Sequence, residues 1–441
     1  MSAQSITEPV ARDLDDDLEQ ERPQAAVERW LLALAGVFIL LNQVTLIVAR
    51  DRGWTTLWPV GVWAVCAAFG HSALERRLPR RDPLLFPLAM FLTGWGLNLI
   101  SRLVPGYTDR QTLWLVIGLA AMLALTAAPG DLRWLRRYRY TWLIGGLALL
   151  GVTIVLGQNP SGEGPRLWLG FGSLYYQPSE LLKILLVAFL ASYFADHAPY
   201  LRHDSRRVLR WSLPAPAFLG PVLLMWGVCV VVLVWQRDLG TATLFFVVFM
   251  IMLYLASGQG ALLIGGAALL GAAMLAAMQL FDVVALRVRV WLNPWPTADS
   301  DAYQIVQSLL AVASGGLFGQ GIGQGQPTII PVVHSDFAFA AIGEEWGMVG
   351  MLAVTAALAL MVVRGMRIAV EARQPFDRLL AAGLSVMIAV QALLIMGGVL
   401  KLVPLTGITL PFVSYGGSSL LTMFVMTGLL LVLSNREREA L

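Results

Sequence analysis

Asp336 is the residue in this chain best placed to do chemistry. It stands in Pro331-Val332-Val333-His334-Ser335-Asp336-Phe337, where a polar, glycine-rich stretch gives way to an apolar one. A carboxylate at a membrane–water boundary, next to Phe337 and Phe339, loses hydration, and that raises its pKa. A base poised nearer neutrality suits abstraction of a hydroxyl proton. The competing structural role is an N-cap for a helix that starts near 338. Just upstream, Gly315-Gly316-Leu317-Phe318-Gly319-Gln320-Gly321-Ile322-Gly323-Gln324-Gly325 invites a nucleotide reading. That reading fails, because a dinucleotide loop needs a preceding strand and a βαβ unit. The glycines are read instead as backbone that lets a bulky ligand approach or a loop move.

Elsewhere charge is scarce, so each charged position is informative. The chain has only two lysines, Lys183 and Lys401, against 29 arginines. Lys183 follows Glu180 by one helical turn, a spacing at which the two side chains meet. A charge inside a span is costly unless paired, so this pair is read as structural. Arg166, Arg237, Arg287, Arg289 and Lys401 fall on the outer side. Beneath a glycine-rich loop they suit an anion, and guanidinium groups bind diphosphate oxygens well. The structural alternative pairs Arg237 with Asp238 and Arg166 with Glu163. Lys401 could equally snorkel at the end of its span. Glu344 and Glu345, two to three turns beyond Asp336, are read as hydrogen-bonding partners of neighbouring helices. Ser414, in the small and polar run Ser414-Tyr415-Gly416-Gly417-Ser418-Ser419, either packs helices or lines a cavity.

These side chains must be positioned by membrane helices. The 441 residues are 57% hydrophobic and 13% charged, with mean hydropathy +0.70. A soluble chain carries about twice that charge. Apolar runs near 30–49, 55–72, 84–104, 112–128, 140–157, 179–195, 217–236, 240–257, 260–281, 338–363, 378–400 and 414–434 are each long enough to cross a bilayer. The expected fold is an all-α polytopic membrane protein of about twelve spans, with a large loop, 282–337, between spans 9 and 10. Arginines cluster in every second linker, at 76–81, 133–139, 202–210 and 364–378, which marks the cytoplasmic side. Both termini are then cytoplasmic, and loops 105–111, 158–178, 282–337 and 401–413 face outward. The net charge of +3 is an orientation signal and gives no reason to expect nucleic acid.

The acidic stretch 1–29 lacks the plan of a signal peptide and is read as a disordered cytoplasmic tail. Residues 30–83 hold two spans and a basic linker that look like an appendage to a core over 84–435, with a short tail at 436–441. Cys66 and Cys229 suggest neither a disulfide nor a metal site. Gln177-Pro178-Ser179-Glu180 reads as a helix start with Ser179 as cap and Glu180 in the positive end of the dipole. The loop 282–337 is expected to contain short helices, one of them around 303–313.

Four linked motifs carry a resemblance. They are Pro-x-x-His-Ser-Asp-Phe-x-Phe-Ala-x-x-Gly-Glu-Glu (331–345), Gln-Pro-Ser-Glu-Leu-x-Lys (177–183), Gln-x-Asp-Leu-Gly-Thr (236–241) and Pro-Leu-Thr-Gly-x-x-Leu-Pro-Phe-Val-Ser-Tyr-Gly-Gly-Ser-Ser (404–419). In this order they resemble the SEDS family of shape, elongation, division and sporulation proteins, typified by RodA, FtsW and SpoVE. Members usually have ten spans, so the first two make this chain similar to a twelve-span branch. The resemblance implies a peptidoglycan glycosyltransferase that polymerises lipid II on the outer membrane face beside a class B penicillin-binding protein. It implies that Asp336 is the essential loop aspartate, acting as general base in an inverting reaction. Trp114, in Asp109-Arg110-Gln111-x-x-Trp114, matches a tryptophan the family needs, although it could simply be an interfacial anchor. Arg166, Arg237 and Lys401 would stabilise the departing diphosphate, with His334 and Ser414 also facing substrate and a divalent cation (Mg or Mn) as a possible helper. The chain departs from many relatives at Val332, where they have Glu, and at Leu167, where they have Arg. Two other functions compete: a lipid II flippase, and a non-catalytic scaffold for the cross-linking partner. A transporter gathers its discriminating polar groups near the bilayer midplane, whereas here they gather at outer loops and outer span ends.

Overall fold

The computed structural model describes residues 8–127, 132–159, 166–172, 174–203, 205–208, 211–214 and 238–439, with isolated positions at 220, 223, 227 and 234. Its helices are α1 (Glu8–Arg50), α2 (Trp58–Arg77), α3 (Leu85–Leu103), α4 (Thr108–Ala127), the short α5 (Arg133–Arg137), α6 (Arg139–Leu156), α7 (Pro178–His203), α8 (Leu239–Ser257), α9 (Ala261–Leu280), α10 (Asp282–Leu292), α11 (Tyr303–Gly315), α12 (Ala338–Glu371), α13 (Pro375–Val399) and α14 (Gly417–Glu439). Strands among the described residues form two small hairpins, Leu169–Phe171 with Leu174–Tyr176 and Ser205–Val208 with Trp211–Pro214.

Ten helices among the described residues are long and apolar enough to cross a membrane. α3 occupies the place of the third expected span but is not among the ten, because Asn98, Ser101 and Arg102 dilute its apolar surface. The expected span 217–236 lies outside the described residues apart from four isolated positions. α11 forms where a short loop helix is expected. Two expectations are corrected. α1 begins at Glu8, inside the stretch expected to be disordered, because its Ala, Leu, Glu, Gln and Arg residues favour helix. α7 opens at Pro178, a residue preorganised for the first helical position, so Ser179 lies within the helix and does not cap it.

The first two spans pack against the core. The Asn98 side chain donates to Ile39 O at 2.8 Å, and Trp63 Nε1 donates to Met90 O at 2.8 Å. Glu28 is buried between Arg81, at 2.7 Å, and His71. The linker after α2 is tied to the far end of the chain: Asp82 N donates to Ser434 Oγ, and Arg364 pairs with the Asp82 carboxylate. Glycine permits close approach where a helix meets another segment of the chain. A Cβ on Gly96 would fall 2.5 Å from Val413 O, and one on Gly118 would fall 2.8 Å from the Phe424 ring.

α12 is two helices joined at Gly347, whose φ of 65° and ψ of −161° are accessible essentially to glycine alone. The break strands backbone groups, and the segment after α11 satisfies them. Gln320 N and Gly321 N donate to Glu344 O and Glu345 O at 2.9 and 3.1 Å. Met348 N and Val349 N donate to Gly316 O and Leu317 O at 2.9 and 3.1 Å.

A side chain at 347 should undo this join. Gly347→Ala adds about 1–3 kcal/mol of backbone strain and drives a Cβ to 2.3 Å from Gly319 N. Its thermal midpoint in detergent should fall, with new proteolytic cleavage in 316–330. Gly271→Ala, where an added Cβ meets nothing within 4 Å, should leave both readouts at wild-type values.

Candidate active site

α10 presents Leu286, Arg287, Val290 and Trp291 on one face, the three- and four-residue spacing of a helix. This face forms one wall of a cavity of about 170 Å³. Asp301, Gln304 and Ile305, at and just before the start of α11, form a second wall. The segment after α13 closes it with Lys401, Val403, Leu405 and Gly407, and Asp336 enters from the loop before α12. Gly407, at φ 71°, passes close beside two of the charged groups: a Cβ there would lie 3.6 Å from Asp336 Oδ2 and 3.9 Å from Arg287 Nη2.

Asp336 does not cap α12. The cap position is Phe337, and no side chain bonds the helix start. The Asp336 side chain is half-buried, and its Oδ1 accepts from Ser335 Oγ at 2.8 Å. Burial pushes the carboxyl above the ordinary carboxylate range, while the Ser335 hydroxyl and the Arg287 guanidinium pull it partly back. Val332 O accepts from Ser335 N and Asp336 N, which closes a tight turn. Val332 at φ 55° and Lys401 at φ 60° hold backbone conformations costly for L-residues.

The turn is held from the other side by the 410–415 segment. Ser414 Oγ donates to Ser335 O and accepts from Leu410 N, and Tyr415 N donates to His334 O at 2.8 Å. Ser414 is therefore a positioning residue for the aspartate loop and is itself buried. His334 sits in an aromatic cluster with Tyr107 and Tyr415, ring centroids 5.4 and 5.6 Å away, and outside the cavity lining. Burial there lowers its pKa and keeps the ring neutral.

Among the described residues, the others singled out from sequence lie apart from the cavity. Trp114 is buried with its indole against Gly417, where a Cβ would fall 2.0 Å from Nε1. Arg166 is exposed ahead of the first hairpin, and Arg237 lies outside the described residues. Asp238 caps α8 by accepting from Thr241 N at 3.1 Å. Lys183 is 1% exposed and donates to Glu180 Oε1 at 2.7 Å and to Gln391 Oε1 at 2.9 Å. Gln391 in turn donates to Thr409 O, so this buried network steadies the segment that carries Gly407.

Glu344 and Glu345 serve the glycine-rich loop. Glu344 Oε1 accepts from Gln326 N at 2.7 Å, and Glu345 Oε1 pairs with Arg102 Nε at 2.9 Å. Arg102 also donates to Gly325 O, and Arg50 donates to Gly323 O and Gly325 O. The glycines therefore allow close contact with protein and leave the loop pinned, which corrects the expectation of a moving loop. Sequence reasoning missed Asp301 and Gln304, because Thr297-Ala298-Asp299-Ser300-Asp301 reads as ordinary turn residues. Arg287 was flagged only by its placement against the positive-inside rule.

Arg287 and Lys401 make no salt bridge among the described residues, whereas cations inside the bundle do: Arg81, Arg102, Lys183 and Arg364 each pair with a carboxylate. The cavity thus combines an acid of raised pKa, Asp336, and a second carboxylate, Asp301, with two cations that make no direct salt bridge. That arrangement can deprotonate a hydroxyl while stabilising an anionic leaving group.

Residues 105–439 match the family model described as cell cycle protein, FtsW/RodA/SpoVE. The chain is 36% identical over 427 residues to peptidoglycan glycosyltransferase RodA of Mycobacterium tuberculosis, covering 93% of this chain and 91% of that one. It is 31% identical over 376 residues to a probable peptidoglycan glycosyltransferase FtsW of Geobacter metallireducens, covering 82% and 97%. Among solved structures it is similar to a chain of a peptidoglycan synthase complex that coordinates polymerization and crosslinking. The TM-score there is 0.67 at 26% identity, covering 81% of this chain and 98% of that one. It is also similar to the rod shape determining protein RodA of Thermus thermophilus, with TM-score 0.57 at 26% identity, covering 81% and 97%.

If the buried Lys183 network is structural, Lys183→Met should strand the Glu180 charge and cost about 3–5 kcal/mol. Glu180→Gln added to it should recover much of that loss in thermal unfolding. A double variant no more stable than Lys183→Met alone would show that the pair is not what holds this region.

Proposed function

The chain belongs to the FtsW/RodA/SpoVE cell cycle protein family, multi-pass membrane peptidoglycan glycosyltransferases, and we propose that it polymerises lipid II with Asp336 as general base. The observation that carries this reading is the meeting of Asp336 with the unpaired Arg287 and Lys401 in one cavity. The 4-hydroxyl of one lipid-linked sugar gives its proton to Asp336, and its oxygen attacks the anomeric carbon of a second. The bond from that carbon to the diphosphate breaks, and the electron pair leaves with the diphosphate. Attack opposite the leaving group inverts the anomeric centre, so no covalent enzyme intermediate forms.

Arg287 and Lys401 receive the charge that grows on the diphosphate, guanidinium by paired hydrogen bonds and ammonium as a point charge. Arg287 is thereby added to the cations expected at the diphosphate. Among the described residues no three His, Cys, Asp or Glu side chains converge to hold a metal. A Mg or Mn ion at the diphosphate is the expected helper, and polymerisation after chelation tests for it. The cavity belongs to the extracytoplasmic side, with both termini cytoplasmic and a class B penicillin-binding protein as partner. The similarity to a peptidoglycan synthase complex supports that partner. The polar groups lie in loops beyond the spans, which favours surface chemistry over transport.

Purified lipid II, offered to the reconstituted chain with its partner, should be polymerised by wild type. Asp336→Asn should lower the rate about 10²- to 10⁴-fold while still folding and binding the partner. Equal rates would remove Asp336 from the mechanism.

The pH profile gives a second test. The folded carboxyl titrates above its unfolded value of about 3.9, so the ionised base is present above that raised value and is lost as pH falls through it. Arg287 lowers this pKa, so Arg287→Ala should move the acidic limb of the rate profile to higher pH. A limb that stays in place or moves down would separate Arg287 from the base.

A further inference from the structure

The Asp336 cavity has a polar neighbour. An open cavity of about 380 Å³ lies beside α11 and is lined by Gln307, Ser314, Gln320, Gln324, Gln326 and Glu344, with four apolar residues. No arginine or lysine lines it. None of these four carboxamides, nor that of Gln304, hydrogen-bonds another described residue through its side chain. Each offers two N–H donors and a carbonyl acceptor to whatever enters.

The two cavities share one face of α11. Gln304 lines the first, and Gln307, Ala311 and Ser314 line the second. Steps of three, four and three residues keep these positions in one stripe. At 1.5 Å per residue the stripe runs about 15 Å from the Asp336 cavity to its far end. The loop side of the track is rigid. Gln324 stands between Gly323 and Gly325, whose carbonyls are held by Arg50 and Arg102. Gln320 and Gln326 are fixed through their own backbone N–H groups, to Glu344 O and to the Glu344 carboxylate.

We propose that the glutamine-lined stripe of α11 and the 320–326 loop bind the N-acetylated glycan strand adjoining the Asp336 cavity. The proposal rests on the glycosyltransferase reading and assigns it a subsite. Neutral donors and acceptors in alternation suit hydroxyl and acetamido groups. An anion is disfavoured, since Glu344 is the one ionisable group in the lining. Labour is thereby divided: cations hold the diphosphate at one end, and carboxamides hold sugar along the helix. A strand held in this way stays with the enzyme between additions, so the track governs how long the product grows.

The test uses the full chain with its partner in liposomes, comparing wild type with a Gln307→Ala/Gln326→Ala double variant of matched melting temperature. Product length on gels should shift to markedly shorter strands. Lipid-free, peptide-free glycan oligomers should bind the purified variant roughly tenfold more weakly, the loss of two neutral hydrogen bonds. A length distribution equal to wild type, or less product of unchanged length, would overturn the proposal. So would loss of binding to the free stem pentapeptide in place of the glycan. Wild type that binds the oligomers but makes no polymer would sink the glycosyltransferase reading and leave the track standing.

Discussion

Much of this architecture depends on one backbone exchange. An apolar helix cannot be interrupted without stranding N–H and C=O groups, and in a membrane those groups must be satisfied by protein. α12 is interrupted at Gly347, and the chain between α11 and α12 supplies the missing partners residue for residue. The exchange lays 316–321 against the helix. Arg50, Arg102, Glu344 and Glu345 then lock 323–326. With both ends of the loop set, the remaining residues up to Phe337 have little freedom, and Ser414 and Tyr415 remove more of it. Asp336 is held by a loop that is irregular in shape but well fastened.

Electrostatics follow a simple rule through the bundle. Where a charge is deep, its opposite is close: Lys183 with Glu180, Arg102 with Glu345, Arg81 with Glu28. Such pairs recover only part of the desolvation they cost, so they specify geometry more than they stabilise it. Arg287 and Lys401 are less deeply placed and make no such pair among the described residues, and both line the cavity that holds Asp336. Cations without a fixed partner can turn to an anionic ligand at no cost in broken salt bridges.

The sequence carried the helices well, because runs of about twenty apolar residues have few other uses. Asp336 was legible for a similar reason: a lone carboxylate at the edge of an apolar run is expensive and so conspicuous. The helix over 303–315 and the Glu180–Lys183 pair were legible from periodicity. The mobility of the glycine-rich loop was misread, because its glycines look alike whether they leave the backbone free or let it pack closely against another part of the chain. Nothing in Glu344-Glu345-Trp346-Gly347-Met348 announces a break, since glycine is common in membrane helices. The partners of Arg50 and Arg102 lie more than two hundred residues away, beyond the reach of spacing arguments. Asp301 and Gln304 join the cavity only because α10 and α11 fold back on each other.

That sequence distance bears on biogenesis. Every residue of the Asp336 cavity lies between 286 and 407, so its walls emerge from the ribosome together. The groups that pin the glycine-rich loop do not: Arg50 and Arg102 are made first and wait, in an already inserted part of the chain, for glycines that arrive 273 and 223 residues later. Until then the two guanidinium groups lack these partners. Non-local contacts of this kind are slow to form. The first helices thus act as a receiving dock for a loop that is made much later.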